Sequence, residues 1–337
     1  MMRFLPDDAQ REFARSLDAL LTAADTPAVS RAWAAGDTGP GRRLWSRLAD
    51  LGVFALAVPE AYEGVGPLSV ELAVAFPELG RHAVPGPVVE TVAVAAFLDR
   101  LGDEAAATEW LPGIASGKTL ASFCVVTDGS PYALDAAAAD AVLVVDGDTV
   151  RLAESTGPVQ PSADPARRLA RPLGGTVLAQ GPRVTAAAAH AADVAALATA
   201  AQALGLGRAL LAHTVEHVRQ RTQFGVAIGS FQAVKHRLAD TLIGLEFAQP
   251  LVHAAALGLA AGDPANVPTD VPAAKAAACE AAYAAARTAL QLHGALGYTD
   301  ELDLSLWIRK ARALRSAWGT PADCRARVME GAGACGS

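Results

Sequence analysis

The sequence predicts a mainly α protein with one small β region, on three observations. Ala, Leu and Val carry its apolar content, helix-period apolar stripes fill its first third and its second half, and a run of short β-favouring segments separates the two. Hydrophobic residues make up 52% of the 337 and aromatic ones only 5%, so the core is built from helix-favouring aliphatic residues rather than large rings. A chain of this length buries an ample core without a metal or disulfide staple.

Residues 7–24 and 41–55 show helical spacing, and the second run ends at Leu51-Gly52, where glycine closes a helix. The stretch AVPEAYEGVG reads as a turn. Leu68 to Leu79 and Val88 to Leu101 are helical again, parted by the Pro-rich AVPGPV, so residues 1–117 are expected to be an N-terminal helical domain. LASFCVV, DAVLVV, DTVRLA and TVLAQ are β-favouring runs set off by Asp-Gly and Gly-Pro turn signals, which makes 118–185 a reduced middle β domain. From Ala186 long helices return. Leu197, Ala201, Leu204, Leu211, Val215 and Val218 mark one stripe, interrupted by Arg208, which leaves that face partly wet. Phe231, Val234, Leu238, Leu242 and Leu245 mark a second stripe, expected to face the core. A loop over 262–272, a third helix to about Leu292 and a fourth near 304–317 complete an antiparallel four-helix bundle over 186–337.

Several function classes drop out. Lys and Arg total 28 against 35 Asp and Glu, a net charge of −7 with no basic tract, so nucleic acid is not an expected partner. Cys124, Cys279, Cys324 and Cys335 stand far apart without metal-ligand spacing, so no metal site is expected and a reducing cytoplasm fits best. The N-terminus turns acidic at once and lacks the apolar core of a signal peptide. The longest apolar stretch, Val194 to Leu206, contains Gln202 and lies between Asp193 and Arg208, so a membrane span is not expected.

Two constellations carry chemistry. In Arg221-Thr222-Gln223-Phe224-Gly225, followed by Gln232, an arginine suited to forking onto a pyrophosphate sits beside an aromatic suited to stacking on a purine and a glycine that admits close approach. Taken alone, the same five residues read more simply as a helix end with Gly225 as its cap and Phe224 in the core. In Gln291-Leu292-His293-Gly294-Ala295-Leu296-Gly297-Tyr298, two glycines end a helix and admit a ligand phosphate or sugar. His293 and Tyr298 invite an acid/base reading, but neither has an acidic neighbour in sequence, and packing is the simpler role. His213 and His217, at i and i+4, share a helix face without a third ligand in any recognisable metal motif.

Together, in order and spacing, these motifs resemble the C-terminal bundle of the acyl-CoA dehydrogenases. Leu44 to Gly66 is similar to the family's N-terminal segment ending in Tyr-Gly-Gly-x-Gly, with Glu63 in place of one glycine. Asp164 to Pro172 resembles the family's turn between β domain and bundle, and Arg309 through Thr320 resembles its Arg-Asp-Ala through Glu-Gly-Thr segment. The resemblance implies FAD held between subunits, with Arg221, Phe224, Gln232, Gln291, Gly294 and Gly297 gripping the pyrophosphate and adenosine of a neighbour's flavin. Ala295 replaces a family glycine, and Thr320 matches a threonine that contacts flavin.

Family chemistry removes an α proton with a glutamate while a hydride passes to flavin, so a carboxylate at the base position is needed. Here that position holds Trp318, and the alternative seat used by some members holds Ala195. Asp193 is two residues from Ala195, about 200° around a helix, and should face elsewhere. No catalytic residue is therefore assigned to this chain. The β region also lacks the family's flavin loop, and Thr127 and Ser130, which stand near its place, are not counted as site residues. The pattern resembles the short, base-lacking chains of heterotetrameric actinobacterial acyl-CoA dehydrogenases, several of which act on steroid side-chain thioesters. It implies a glutamate-bearing homologous partner in an α2β2 assembly, acyl-CoA as substrate and electron-transfer flavoprotein or a similar acceptor. A repurposed enzyme with another base, and a non-catalytic acyl-CoA-binding scaffold, are the competing readings.

Overall fold

The computed structural model of the protein describes residues 6–127 and 131–334, and the side chains of all of these except Tyr298 and 332–334. Ser130 and Cys335 lie outside the described residues. The N-terminal helices are α1 (Asp8–Thr22), α2 (Thr26–Ala34), α3 (Gly39–Asp50), α4 (Ser69–Arg81), α5 (Val88–Leu101) and α6 (Glu104–Ala115). Strands follow: β1 (Ala121–Val125), β2 (Ala133–Leu134), β3 (Ala141–Asp146), β4 (Thr149–Leu152), β5 (Ser155–Thr156), β6 (Leu169–Ala170), β7 (Pro172–Leu173) and β8 (Thr176–Gln180). The C-terminal half comprises α7 (Pro182–Gln220), β9 (Thr222–Gln223), β10 (Val226–Ala227), α8 (Gln232–Ala261), α9 (Val267–His293), α10 (Leu304–Leu314) and α11 (Pro321–Ala334).

These elements form two compact units that do not follow chain order. One comprises Met1–Thr22, Ala73–Val84 and Ala196–Ser337; the other comprises Ala23–Leu72 and Pro85–Ala195. The second unit is built on a sheet of order β1-β3-β4-β8, formed by the four runs read as strands from the sequence. β1 and β3 are parallel, pairing Ala121 with Ala141 through Val125 with Val145, and the remaining pairs are antiparallel. One sheet face packs Cys124, Val142 and Val144 against Ala133, Ala136 and Ala170. The other meets α5, where the Phe97 and Phe123 rings lie 5.3 Å apart and the Thr91 hydroxyl donates to the Ala121 carbonyl at 2.7 Å. Burial on both faces explains why β3 reads as a continuous apolar run rather than an alternating one. The Asp164 to Pro172 segment does not lead into the bundle as its resemblance suggested: it holds β6, paired with β2, and the chain returns to the sheet in β8 before α7 begins.

Gly52, at φ +85, follows α3 as the sequence predicts. Glu63 stands at φ 66, the left-handed region in which a side chain is strained. Glu63→Gly is accordingly expected to stabilise the protein by about 0.5–1 kcal/mol, read as a higher urea midpoint at unchanged slope.

In the first unit α4 and α7 cross at backbone contact. A Cβ added to Gly80 would lie 1.9 Å from the Gln202 carbonyl oxygen, and one added to Gly205 would lie 1.8 Å from that of Pro77. Leu206 and Leu210 of α7 share a core with Ala282, Ala285 and Ala289 of α9 and with Leu304, Trp307 and Leu314. The Trp307 indole N–H donates to the Arg81 carbonyl at 2.7 Å, and the buried Lys310 ammonium donates to the Val84 carbonyl at 2.8 Å, joining α10 to the end of α4. Arg208 is partly wet as expected, bonding Glu246 at 2.9 Å and Gln249 at 2.7 Å.

Three expectations for this half are corrected. Among the described residues the C-terminal half holds five helices rather than four, since α11 follows the turn at Trp318-Gly319. α9 starts at Val267, inside the segment read as a loop, because Pro268 occupies the first turn, where no N–H is needed. The stripe on α8 does not face the core: Leu245 is buried, but Phe231 is 39% and Leu242 45% exposed. Its buried side is instead drawn largely from small residues, with Thr241, Ala248, Ala255 and Ala256 beside Leu245, Val252 and Leu259. The large side chains Leu242, Ile243, Phe247 and Leu251 point outward, Phe247 with 74% exposure. α7 and α8 are each long and apolar enough to cross a bilayer by length and composition alone, which the stretch from Val194 to Leu206 did not suggest; the most apolar window of α7 is 89% buried and that of α8 39%.

Candidate functional site

The two sequence constellations come together at one end of the first unit. α7 ends at Gln220, and Arg221-Gly225 is not a helix cap: Thr222–Gln223 and Val226–Ala227 pair as a hairpin. The two residues of its turn, Phe224 and Gly225, have φ 54 and 79, the geometry of a tight primed turn that matches strand twist. The hairpin holds Arg221 exposed, with its N–H on the His217 carbonyl at 2.8 Å and its carbonyl accepting from Ile228 at 2.8 Å. Phe224 is not in the core: it is 92% exposed, set edge-on to Phe231 at 6.3 Å. Gln232, also exposed, opens α8.

The second constellation ends α9. Gly294 has φ 60 and ψ −134, a backbone shape suited to glycine, and open space lies where its Cβ would be. Gln291 is exposed, and Gly297 is buried against Leu290. The rings of His217 and His293 stack at 4.0 Å, joining the last turn of α7 to the last turn of α9. Antiparallel packing of α8 on α9, with the Thr241 hydroxyl 3.2 Å from that of Thr288, brings Gln232 to this same end. His213 lies edge-on to Trp307 at 5.5 Å.

Trp318 and Thr320 sit elsewhere on the bundle. The fully buried Lys275 donates to the carbonyls of Leu314 at 3.2 Å and Gly319 at 3.1 Å, fixing the turn that carries Trp318 in a left-handed conformation. Lys275 is sixteen residues from Gln291, about 24 Å along a helix. The Thr320 hydroxyl donates to the Asp323 carboxylate at 2.7 Å, and the Asp323 N–H returns to it at 3.2 Å, so Thr320 caps α11. The Thr320 hydroxyl, and then its backbone N–H at 2.9 Å, donate to the Asp323 carboxyl and hold it below the usual carboxylate range. Ala195 is fully buried. Asp193 lies near His190, whose ring is pushed down first by burial and then by Arg100, with Asp193 and Asp99 opposing.

Among the described residues, one group of histidine and carboxylate side chains is compact enough to hold a cation: Asp18, Glu78 and His82, with ligand atoms within 4.8 Å of one another. Arg81 already lies 3.7 Å from Asp18 and 3.4 Å from Glu78, and the His82 ring bonds Asp18 at 2.8 Å, so the group reads as an ion-pair node tying α1 to α4. Burial raises the Glu78 carboxyl, with Arg81 opposing.

Residues 7–118 match the acyl-CoA dehydrogenase N-terminal domain and residues 185–332 the C-terminal domain of the same family. Acyl-CoA dehydrogenase IpdE2 of Mycobacterium tuberculosis is 32% identical over 325 residues, 95% of this chain and 96% of that protein. The chain belongs to the acyl-CoA dehydrogenase family. IpdE2 of Mycolicibacterium smegmatis is 31% identical over 93% of this chain and 95% of its own length. Among solved structures, a chain of the ChsE4-ChsE5 complex from Mycobacterium tuberculosis superposes with TM-score 0.84 at 25% identity over 98% of each chain. Butyryl-CoA dehydrogenase of Megasphaera elsdenii shares the fold, with TM-score 0.83 at 22% identity over 100% of both chains. An acyl-CoA dehydrogenase of Bacillus anthracis, solved with FAD, also shares it, with TM-score 0.83 at 17% identity over 96% of this chain and 66% of that one.

The hairpin end fits the adenosine and pyrophosphate half of FAD. An exposed guanidinium, an exposed aromatic ring and a glycine with open space at its Cβ position supply an anion partner, a stacking face and room for close approach.

Proposed function

We propose that this chain is one subunit of a two-chain FAD-dependent acyl-CoA dehydrogenase. It completes the adenosine and pyrophosphate half of a flavin site whose catalytic glutamate lies on a homologous partner in an α2β2 complex. The observation that carries this reading is the separation inside one chain: the Arg221 and Gly294 grip lies about 24 Å along α9 from the Lys275 level that holds the Trp318 turn. A single chain thus presents its nucleotide grip and its family base position at different ends of the bundle, as expected if each serves a different flavin.

A flavin held by its adenosine half at this end would supply the hydride acceptor for desaturation of an acyl thioester. The residues of this chain bind and orient: Arg221 neutralises pyrophosphate charge, Phe224 offers its ring to the adenine, Gln232 and Gln291 supply amide donors, and Gly294 and Gly297 admit the backbone close to the ligand. Trp318 and Ala195 offer no carboxylate, so this chain takes no α proton. The outward apolar face of α8 supports association with another chain. We place the complex in the cytoplasm, with an electron-transfer flavoprotein or similar protein as acceptor. The acyl group we favour is a steroid side chain, as the short, base-lacking chains that this one resembles suggest.

Expressed alone, the chain should be poorly flavinylated and inactive, whereas co-expression with a longer homologue bearing the glutamate should give two FAD per heterotetramer, counted by absorbance after gel filtration. Stoichiometric FAD on the lone chain, with dye reduction by an acyl-CoA, would overturn the reading. Trp318→Glu in the lone chain should create no desaturation, because a carboxylate does not supply the missing half of the flavin site.

A further inference from the structure

The two halves of the nucleotide grip each hang from a histidine. The Arg221 N–H is bonded to the His217 carbonyl at 2.8 Å, and Gly294 follows directly on His293. Between them the two imidazoles stack with centroids 4.0 Å apart and planes 24° from parallel. His293 is 8% exposed, and its Nδ1 lies 2.8 Å from the Ala289 carbonyl oxygen. Because a carbonyl only accepts, that nitrogen carries a proton and fixes the ring orientation on α9. His217, half-buried on α7, lies over the ring so held.

Resting on the assignment of this end to FAD, we propose that His217 and His293 are positioning residues. Their stacked neutral rings form a strut that holds the Arg221 hairpin in register with the Gly294 helix end, and acid releases it.

The surroundings favour the neutral pair. Burial lowers both rings below the ordinary histidine value; the His293 charge and Arg221 lower His217 further, while the bond to Ala289 works the other way on His293. His213, one turn before His217, is also lowered, first by partial desolvation and then by His293, with His82 from the end of α4 adding to the effect and Asp303 before α10 opposing it. The neighbours named are thus mostly cationic or potentially so, with the Asp303 carboxylate opposing them. A group lowered on folding contributes its stability above the unfolded value, near 6.5 for histidine, and loses it as pH falls through the folded value. The strut is therefore intact at neutral pH and fails under mild acid.

Backbone hydrogen exchange on the full chain tests the strut. After correction for intrinsic rates, peptides covering 221–228 and 293–298 should exchange about tenfold faster near pH 5 than near pH 7.5, the two segments moving together. In His217→Phe/His293→Phe, which keeps two stacked rings but no titrating nitrogen, the acid response should vanish. The single His217→Phe variant gives the same readout if the double variant folds poorly. A flat wild-type response, or an unchanged acid response in the Phe variants, would overturn the proposal. FAD content of the assembled complex across the same pH range is an independent arm. If exchange responds as expected while FAD content does not follow pH, the strut stands and the assignment of this end to FAD fails. If FAD content follows pH while exchange stays flat, the strut fails and that assignment stands.

Discussion

Arg221→Ala is expected to strip flavin from the assembled complex while leaving the chain folded. A charge-assisted contact to a partly buried phosphate is worth about 1.5–3 kcal/mol, which converts to roughly 10- to 150-fold in FAD affinity. The fold should survive, because the backbone bonds of Arg221 to His217 and Ile228 hold the hairpin and do not involve its side chain. In the proposed two-chain arrangement, activity at limiting FAD should fall even though the catalytic glutamate is assigned to the partner, and added FAD should recover most of the rate. If the guanidinium only complemented the dipole of α7, the variant would lose a little stability and keep its flavin. Bound FAD per complex, measured with the melting temperature on the same sample, separates the two outcomes.

Gly205→Ala should cost at least about 3 kcal/mol, an effect at the upper end of overpacking, because the new methyl would meet a carbonyl oxygen at 1.8 Å and no rotamer relieves a backbone clash. α4 and α7 would have to separate along their crossing. The same substitution at Gly244, in α8, should have the opposite sign. There the added Cβ meets its nearest neighbour, the Ala281 Cβ, at an ordinary 3.9 Å, so the gain in helix propensity, about 0.5–1 kcal/mol, is uncompensated. Chemical denaturation midpoints of the two variants should therefore move in opposite directions. A Gly205→Ala chain as stable as the parent would mean that α4 and α7 do not touch as described.

Elements with a strong local signal were legible in the sequence. The four sheet strands, α5 and the glycine after α3 are set by β-favouring runs, helical periodicity and a left-handed stop, all short-range effects. What was misread depends on partners distant in sequence or on competing local rules. Gly225 fits a helix cap as well as a hairpin turn, and the pairing of Gln223 with Val226 decides between them. The Leu242 stripe has the period of a core face, but α9 packs against the small residues on the other side of α8, which periodicity does not weigh. Pro268 and Pro272 make the start of α9 look like loop, but Pro268 falls in the first turn, where a proline is tolerated. The residues proposed to grip the nucleotide rest on sequence motifs, whereas the joining of their two segments through His217 and His293 is visible only in the structure, because ring stacking between helices leaves no spacing signature.

If the hairpin between α7 and α8 holds FAD as proposed, its geometry bears on how quickly the nucleotide can be captured. Phe224 and Gly225 close the turn with backbone geometry set locally, and bonds at both ends of Arg221 tie it to the flanking chain. A frayed helix end would have to surrender its conformational entropy each time a ligand arrived, and the affinity would carry that cost. A finger closed before the encounter surrenders little, so most of what its arginine and aromatic gain on contact is retained as binding free energy. Loosening the turn, for instance by Gly225→Val, should for the same reason slow association while leaving the Arg221 and Phe224 side chains in place.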